Sequence, residues 1–184
     1  MKEDRSAALY EAYLQGDGSA LEALVQLHGD ALTRFAYCIV RDDAAAEDVT
    51  ADTFAALIVR RKKFRGEAKF RTYLYAAARN RALDCLRKNR RTRPLAGLEN
   101  ILTSEQGEQD VLASDRSRAL YAAMQQLPPQ YAAALHLVYF EGFAPAEAAR
   151  ILKKSAKQVY NLLSRARASL KTILTQEGHS YEDL

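Results

Sequence analysis

A chain of 184 residues with 48% apolar and 27% charged side chains has the composition of an ordered protein, long enough for one ordinary domain or two small ones, which excludes a disordered or collagen-like chain. Its net charge of +4 is small but uneven: fourteen Lys/Arg stand against Glu67 and Asp84 from Arg60 to Arg93, and seven stand against none from Arg150 to Lys171. These blocks carry +19 and the remainder of the chain −15, the pattern of two contact sites for a polyanion with acidic surface left for another partner.

Apolar residues recur with helical spacing nearly throughout, and no run alternates with period two for long enough to make a sheet, so the expected fold class is all-α. Helices are predicted near 6–15, 18–40, 44–62 and 68–90. In the third, Asp48 and Asp52 lie at i, i+4, roughly opposite Phe54, Leu57 and Ile58. Two such carboxylates are either solvated charges or an acidic dock for a basic partner. In the fourth, Phe70, Leu74 and Ala78 seat the helix, while Tyr73, Asn80, Asp84 and Arg87 form a separate stripe. A ring, an amide, an acid and a guanidinium in line can hold an unstacked base, and the neighbouring cations interleaved with Phe64, Phe70, Tyr73 and Tyr75 suit single-stranded nucleic acid. Alternatively, Asp84 pairs with Arg81, Arg87 or Lys88, and the rings are core.

Residues 94–112 begin with Pro94, contain Gly97 and Gly107, and turn from basic to acidic, which reads as a flexible linker between a domain at 1–93 and a smaller one at 113–176, with a polar tail at 177–184. Further helices are predicted near 113–126, 129–141, 145–153 and 156–175. The last two, separated by a brief polar break, have the layout of a helix-turn-helix, with Pro145 suited to a first helical turn and Ser155 to an N-cap. On the final helix Val159, Leu162, Leu163, Ala166 and Leu170 share a face opposite Lys157, Tyr160, Asn161 and Ser164, and Arg165 flanks the polar side. A helix that reads the major groove needs that division. A solvated surface helix has it too, although such a face normally mixes charge signs.

Cys38 and Cys85 form no CxxC pair, and His28, His136 and His179 lack ligand spacing, so no metal, cofactor or disulfide is expected. The cysteines read as small buried hydrophobes in a reducing cytoplasm. MKEDRSAALYEAYLQG lacks a signal-peptide core and no window approaches a membrane span, so no direct membrane insertion is expected.

The stretch LPPQYAAALHLVYFEGFAPAEAARILKKSAKQVYNLLSRARASLKTIL resembles region four of sigma factors, with its LP opening, EGF turn and RAR-xx-L ending. DDAAAEDVTADTF followed by FRTYLYAAARNRALDCLRKNRR resembles region two. The chain is thereby identified as similar to the compact, two-domain, extracytoplasmic-function type of the sigma-70 family, and the resemblance implies a transcription initiation factor. It implies partner roles for Glu47, Asp48 and Asp52 on the clamp coiled coil of core RNA polymerase. It places Lys63, Phe64 and Arg65 of loop 61–67, with Tyr73 and Asn80, at a flipped base of the minus-ten element, and Arg79, Arg87, Lys88 and Arg90 on upstream phosphates. It sets Tyr160, Asn161, Ser164 and Arg165 against the minus-thirty-five element, with Lys157 and Gln158 near phosphates, and region four against the polymerase flap. It further implies an anti-sigma partner. The sequence departs from the family's pattern at Ala51 (usually glutamine), Tyr73 (tryptophan), Lys153 (glycine), Gln158 (threonine), and Tyr160 and Leu162 (basic residues).

A stand-alone helix-turn-helix regulator would leave the Asn80 stripe and the acidic helix without purpose. A DNA-processing enzyme would need clustered carboxylates or a positioned nucleophile, which the sequence lacks, so no catalysis is expected.

Overall fold

The computed structural model describes residues 5–60, 68–92 and 115–178, with backbone only at 90–92 and 115–116. The described residues form α1 (Arg5–Leu14), α2 (Gly18–Val40), α3 (Asp43–Arg60), α4 (Phe70–Thr92), α5 (Asp115–Gln126), α6 (Pro129–Leu135), α7 (Pro145–Leu152) and α8 (Ala156–Gln176). No strand occurs among them, and the fold is all-α as expected.

In the N-terminal half, α2 opens on Asp17, whose carboxylate accepts the Ser19 N–H at 3.0 Å, and closes on Arg41 in the left-handed conformation. α1 and α3 pack on this helix. Two polar contacts fix them: in a buried one Ser6 Oγ lies 2.8 Å from His28 Nε2, and in a half-buried one Thr33 Oγ1 donates to Thr50 Oγ1 at 3.0 Å. Thr50 and Thr53 also donate to the Ala46 and Val49 carbonyls, which satisfies hydroxyls on the buried face of α3. α4 lies across α2 and α3, with Phe70, Leu74, Ala78 and Ala82 fully buried and Phe70 stacked on Tyr10 at 4.8 Å. Burial of this kind, about 1.5–3 kcal/mol for a large apolar side chain, sets which face of α4 turns outward.

In the C-terminal half, α6 does not continue regularly to residue 141. It widens into a π-helical turn at His136–Phe140, where the Glu141 N–H donates to the His136 carbonyl at 3.0 Å and the Phe143 N–H to the Leu137 carbonyl at 2.9 Å. A residue is thereby accommodated without breaking the helix, and Glu141 and Phe143 swing toward the N-terminal half. α8 then packs on α6, and α7 on α8, to which it is joined through Lys153, a residue in the left-handed conformation (φ 52°).

The two halves share one continuous buried layer, α2 against α6 and α4 against α7. Phe35 faces His136, and the Arg41 guanidinium donates to the Leu127 carbonyl at 2.7 Å. Three smaller expectations are corrected. Ile58 is 45% exposed because it is one residue, about 100° of helix, past Leu57, the last buried residue of α3. Cys85 and Leu162 are half-buried, flanking the seated faces of α4 and α8.

Candidate nucleic-acid interface

The recognition face of the helix-turn-helix is built by its cap and its buried stripe. Ser155 Oγ accepts the Gln158 N–H at 3.2 Å, and Gln158 Oε1 accepts the Ser155 N–H at 2.8 Å, a reciprocal capping box that starts α8 at a defined residue. The S-x-x-Q spacing was visible in the sequence, and it gives Gln158 a structural partner that the resemblance did not. Val159, Leu163, Ala166 and Leu170 are buried. Lys157, Gln158, Tyr160, Asn161, Ser164 and Arg165 are all exposed, Tyr160 by 60%. The result is a rigid helix carrying an amide, a guanidinium, hydroxyls and an ammonium on one solvent face, the donor and acceptor set that base edges and phosphates require.

On α4 the seated face holds the predicted stripe outward. Tyr73 is 41% exposed, Asn80 is half-buried, and Asp84 and Arg87 are exposed. Asn80 Oδ1 accepts from Arg79 Nη1 at 3.4 Å, and Arg87 Nη1 pairs with Asp84 Oδ1 at 2.9 Å. That pair is one of those the sequence left open, and at such exposure it contributes little stability. Burial, then the neighbouring Arg87 cation, lowers the pKa of Arg79, so a phosphate bound there would offset both penalties. Lys88 is exposed. Lys63, Phe64 and Arg65 lie outside the described residues, as does the Arg90 side chain. On α3, Glu47, Asp48 and Asp52 are exposed, as is Ala51 between them.

Not all of the basic block is available to a polyanion. Lys69 Nζ lies 2.9 Å from Glu147 Oε1, whose other oxygen accepts the Ala144 N–H at 3.0 Å. Arg71 donates to Glu141 Oε2, which also accepts from Tyr75 Oη at 2.8 Å, and His136 Nε2 lies 3.3 Å from Glu141 Oε1. Burial alone would raise the Glu141 pKa, but the contacts with His136, Tyr75 and Arg71 prevail and bring it down to about 2. Burial and then the Glu141 charge push the Tyr75 phenol upward. The Phe143 ring completes the cluster, its centroid 4.3 Å from the Arg71 guanidinium and edge-on to Tyr75 at 5.0 Å. Sequence reasoning missed this cluster. Its one signal was the EGF turn, where an acid and a ring flank a glycine (Gly142, φ 66°) that permits the bend.

Among the described residues no three His, Cys, Asp or Glu groups are placed to hold a metal ion, and no helix is long and apolar enough to cross a membrane.

Residues 24–92 match the family model described as Sigma-70 region 2, and residues 117–170 match Sigma-70, region 4. The RNA polymerase sigma factor NccH of Alcaligenes xylosoxydans xylosoxydans is 32% identical over 91% of this chain and 93% of its own length. The ECF RNA polymerase sigma factor BldN of Streptomyces coelicolor is 28% identical over 95% of this chain and 67% of its own. Among solved structures, the sigma factor RpoE from Bartonella quintana, in complex with the anti-sigma factor NepR, shares the fold with a TM-score of 0.72 and 22% identity, over 84% of this chain and 96% of that one. Both halves thus match in the order and at the separation the two motifs set, and the chain belongs to the sigma-70 family as an RNA polymerase sigma factor of the extracytoplasmic-function type.

Proposed function

We propose that this sigma factor docks on core RNA polymerase through Glu47, Asp48 and Asp52 of α3 at the clamp coiled coil, with residues 113–176 leaning on the flap. α8 reads the minus-thirty-five duplex: Asn161 and Arg165 reach base edges, Tyr160 and Ser164 lie alongside, and Lys157 and Gln158 reach phosphates. In residues 1–93, Lys63, Phe64 and Arg65 with Tyr73 and Asn80 receive a base extruded from the minus-ten element, while Arg79, Arg87, Lys88 and Arg90 hold upstream phosphates. Unstacking costs a few kcal/mol, and stacking on a ring returns about 1–3 kcal/mol per base, so melting is driven by binding and needs no catalysis or cofactor. The protein works in the cytoplasm beside the polymerase, and an anti-sigma factor holds it inactive. Residues 94–112 join the two reading units, so that each raises the local concentration of the other's site.

The observation that carries this reading is the outward face of α8, where every predicted DNA residue is exposed while Val159, Leu163, Ala166 and Leu170 are buried. The test is co-migration with sigma-free core polymerase on size exclusion, followed by DNA footprinting of the complex. Asp48→Arg should abolish co-migration, and Asn161→Ala should leave it intact while erasing the upstream footprint. Footprinting by the free chain, unaffected by core, would reject the reading.

A further inference from the structure

The proposed function, on which this inference rests, sets the Tyr73 ring against a base extruded from the minus-ten element. Tyr73 is 41% exposed, and its inner side leans on Phe70, with ring centroids 6.1 Å apart and planes at 46°. Phe70 is fully buried and stacks on Tyr10 at 4.8 Å, and Tyr10 meets Tyr13 at 6.2 Å. A column of rings thus runs from the buried side of α1 to the outward face of α4. The phenols reach each other along it: burial first, then Tyr73 and Tyr13, push the Tyr10 phenol up. Tyr10 itself is 2% exposed, so it meets no ligand directly.

What such a column does for Tyr73 follows from the cost of stacking. One base stacked on a ring gains roughly five- to 150-fold in affinity. Immobilising a freely rotating side chain takes back about two- to tenfold of that gain. A half-exposed tyrosine on an unsupported helix surface bears this cost in full, whereas a ring already leaning on a fixed neighbour bears little of it. Phe70 is that neighbour, three residues back on the same side of α4. The face of Phe70 is fixed in turn by the flat ring of Tyr10, which an aliphatic side chain of similar bulk does not reproduce.

We propose that Tyr10 is a positioning residue for minus-ten recognition: through Phe70 it holds the Tyr73 ring in the orientation that stacks on the extruded base. Its contribution belongs to the base and not to the phosphates, so it alters how well the protein tells a strand that carries the base from one that lacks it. A residue that merely stabilises the fold weakens both strands alike.

The test uses holoenzyme assembled from the full chain and core polymerase. Fluorescence anisotropy gives its affinity for the single-stranded minus-ten element of a promoter mapped by run-off transcription, intact or with an abasic site at each position in turn. Wild type should bind the intact strand at least about fivefold more tightly than the strand lacking the stacked base. Tyr10→Leu should lower that ratio by about two- to tenfold while still co-migrating with core, and Tyr10→Phe, which restores the ring, should restore the ratio. Should Tyr10→Leu fail to fold, Tyr10→Met, flexible enough to fill the space without a flat ring, carries the same measurement. In a Tyr73→Leu background the ratio should be low already and indifferent to Tyr10→Leu, because the two residues act in series. An unchanged ratio in the Tyr10 variants, or one that falls equally with Tyr73 absent, overturns the positioning role and leaves the minus-ten reading standing. A wild-type ratio of about one at every position overturns the minus-ten reading itself, and the positioning role with it.

Discussion

The two basic blocks look alike in the sequence, but the structure uses them differently. Along α8 the cations of the polar face are exposed and the buried stripe beneath them is apolar, so the charge is available to a ligand. Along α4 the block is divided. Lys69 and Arg71 at its start are taken up by Glu147 and Glu141 of the other half, and Arg79, Arg87 and Lys88 further along face away. A run of like charge thus identifies a surface only after the acids that fold back onto it are known. Here those acids lie about 70 residues away.

The largest effect that would separate the two blocks is on stability. Phe143 is 4% exposed and lies against Arg71 and Tyr75, whereas Tyr160 is 60% exposed. Phe143→Ala should cost about 3–5 kcal/mol and Tyr160→Ala less than about 0.5 kcal/mol in urea titrations followed by tyrosine fluorescence. Similar losses for both would erase the distinction.

Acid should act on the α4 block alone. The Glu141 pKa falls from an ordinary 4.5 to about 2, so its contribution is present above the unfolded value and is lost as pH falls through the folded one. The loss, on the order of 3 kcal/mol, should appear between about pH 5 and pH 2 and be absent in Glu141→Gln. A urea midpoint that declines equally in both chains would refute the assignment.

DNA affinity should respond on the α8 side. Asn161→Ala and Arg165→Ala should each cost about 1–3 kcal/mol of binding to the cognate upstream element with an unchanged melting temperature. Lys157→Ala should weaken all sequences alike and reduce the salt slope by about one. These are read by fluorescence anisotropy at several salt concentrations.

The smallest effects concern how α8 is set in place. Ser155→Ala removes half of a capping box and should destabilise by about 1 kcal/mol. Lys153→Gly should stabilise by a similar amount, because an exposed lysine holding a left-handed backbone conformation gives up about 1–2 kcal/mol that glycine does not. Thermal melts of the two variants should therefore move in opposite directions.

The helices and the outward faces were legible because both follow from local periodicity. Phe70, Leu74 and Ala78 announce the seated side of α4, and Val159, Leu163 and Ala166 that of α8, at a spacing of three or four residues. The π-helical turn at His136–Phe140 was not legible, since its cause is the tertiary demand that Glu141 and Phe143 reach α4. The contact between the halves was hidden for the same reason. Arg71 and Tyr75 sit inside a stretch whose neighbours point to nucleic acid, and nothing local separates a cation that meets phosphate from one that meets Glu141. Family position points Gln158 at a phosphate, whereas Ser155 three residues earlier is its local partner.

The central claim is that this chain gives core polymerase its choice of start site. Run-off transcription with sigma-free core on genomic fragments tests it most directly. Discrete starts that require the protein, fall at least about tenfold with Asp48→Arg and fall at least about fivefold with Asn161→Ala are the predicted result. Starts indifferent to the protein, or an Asn161→Ala chain that initiates at the same sites with the same yield, would contradict it.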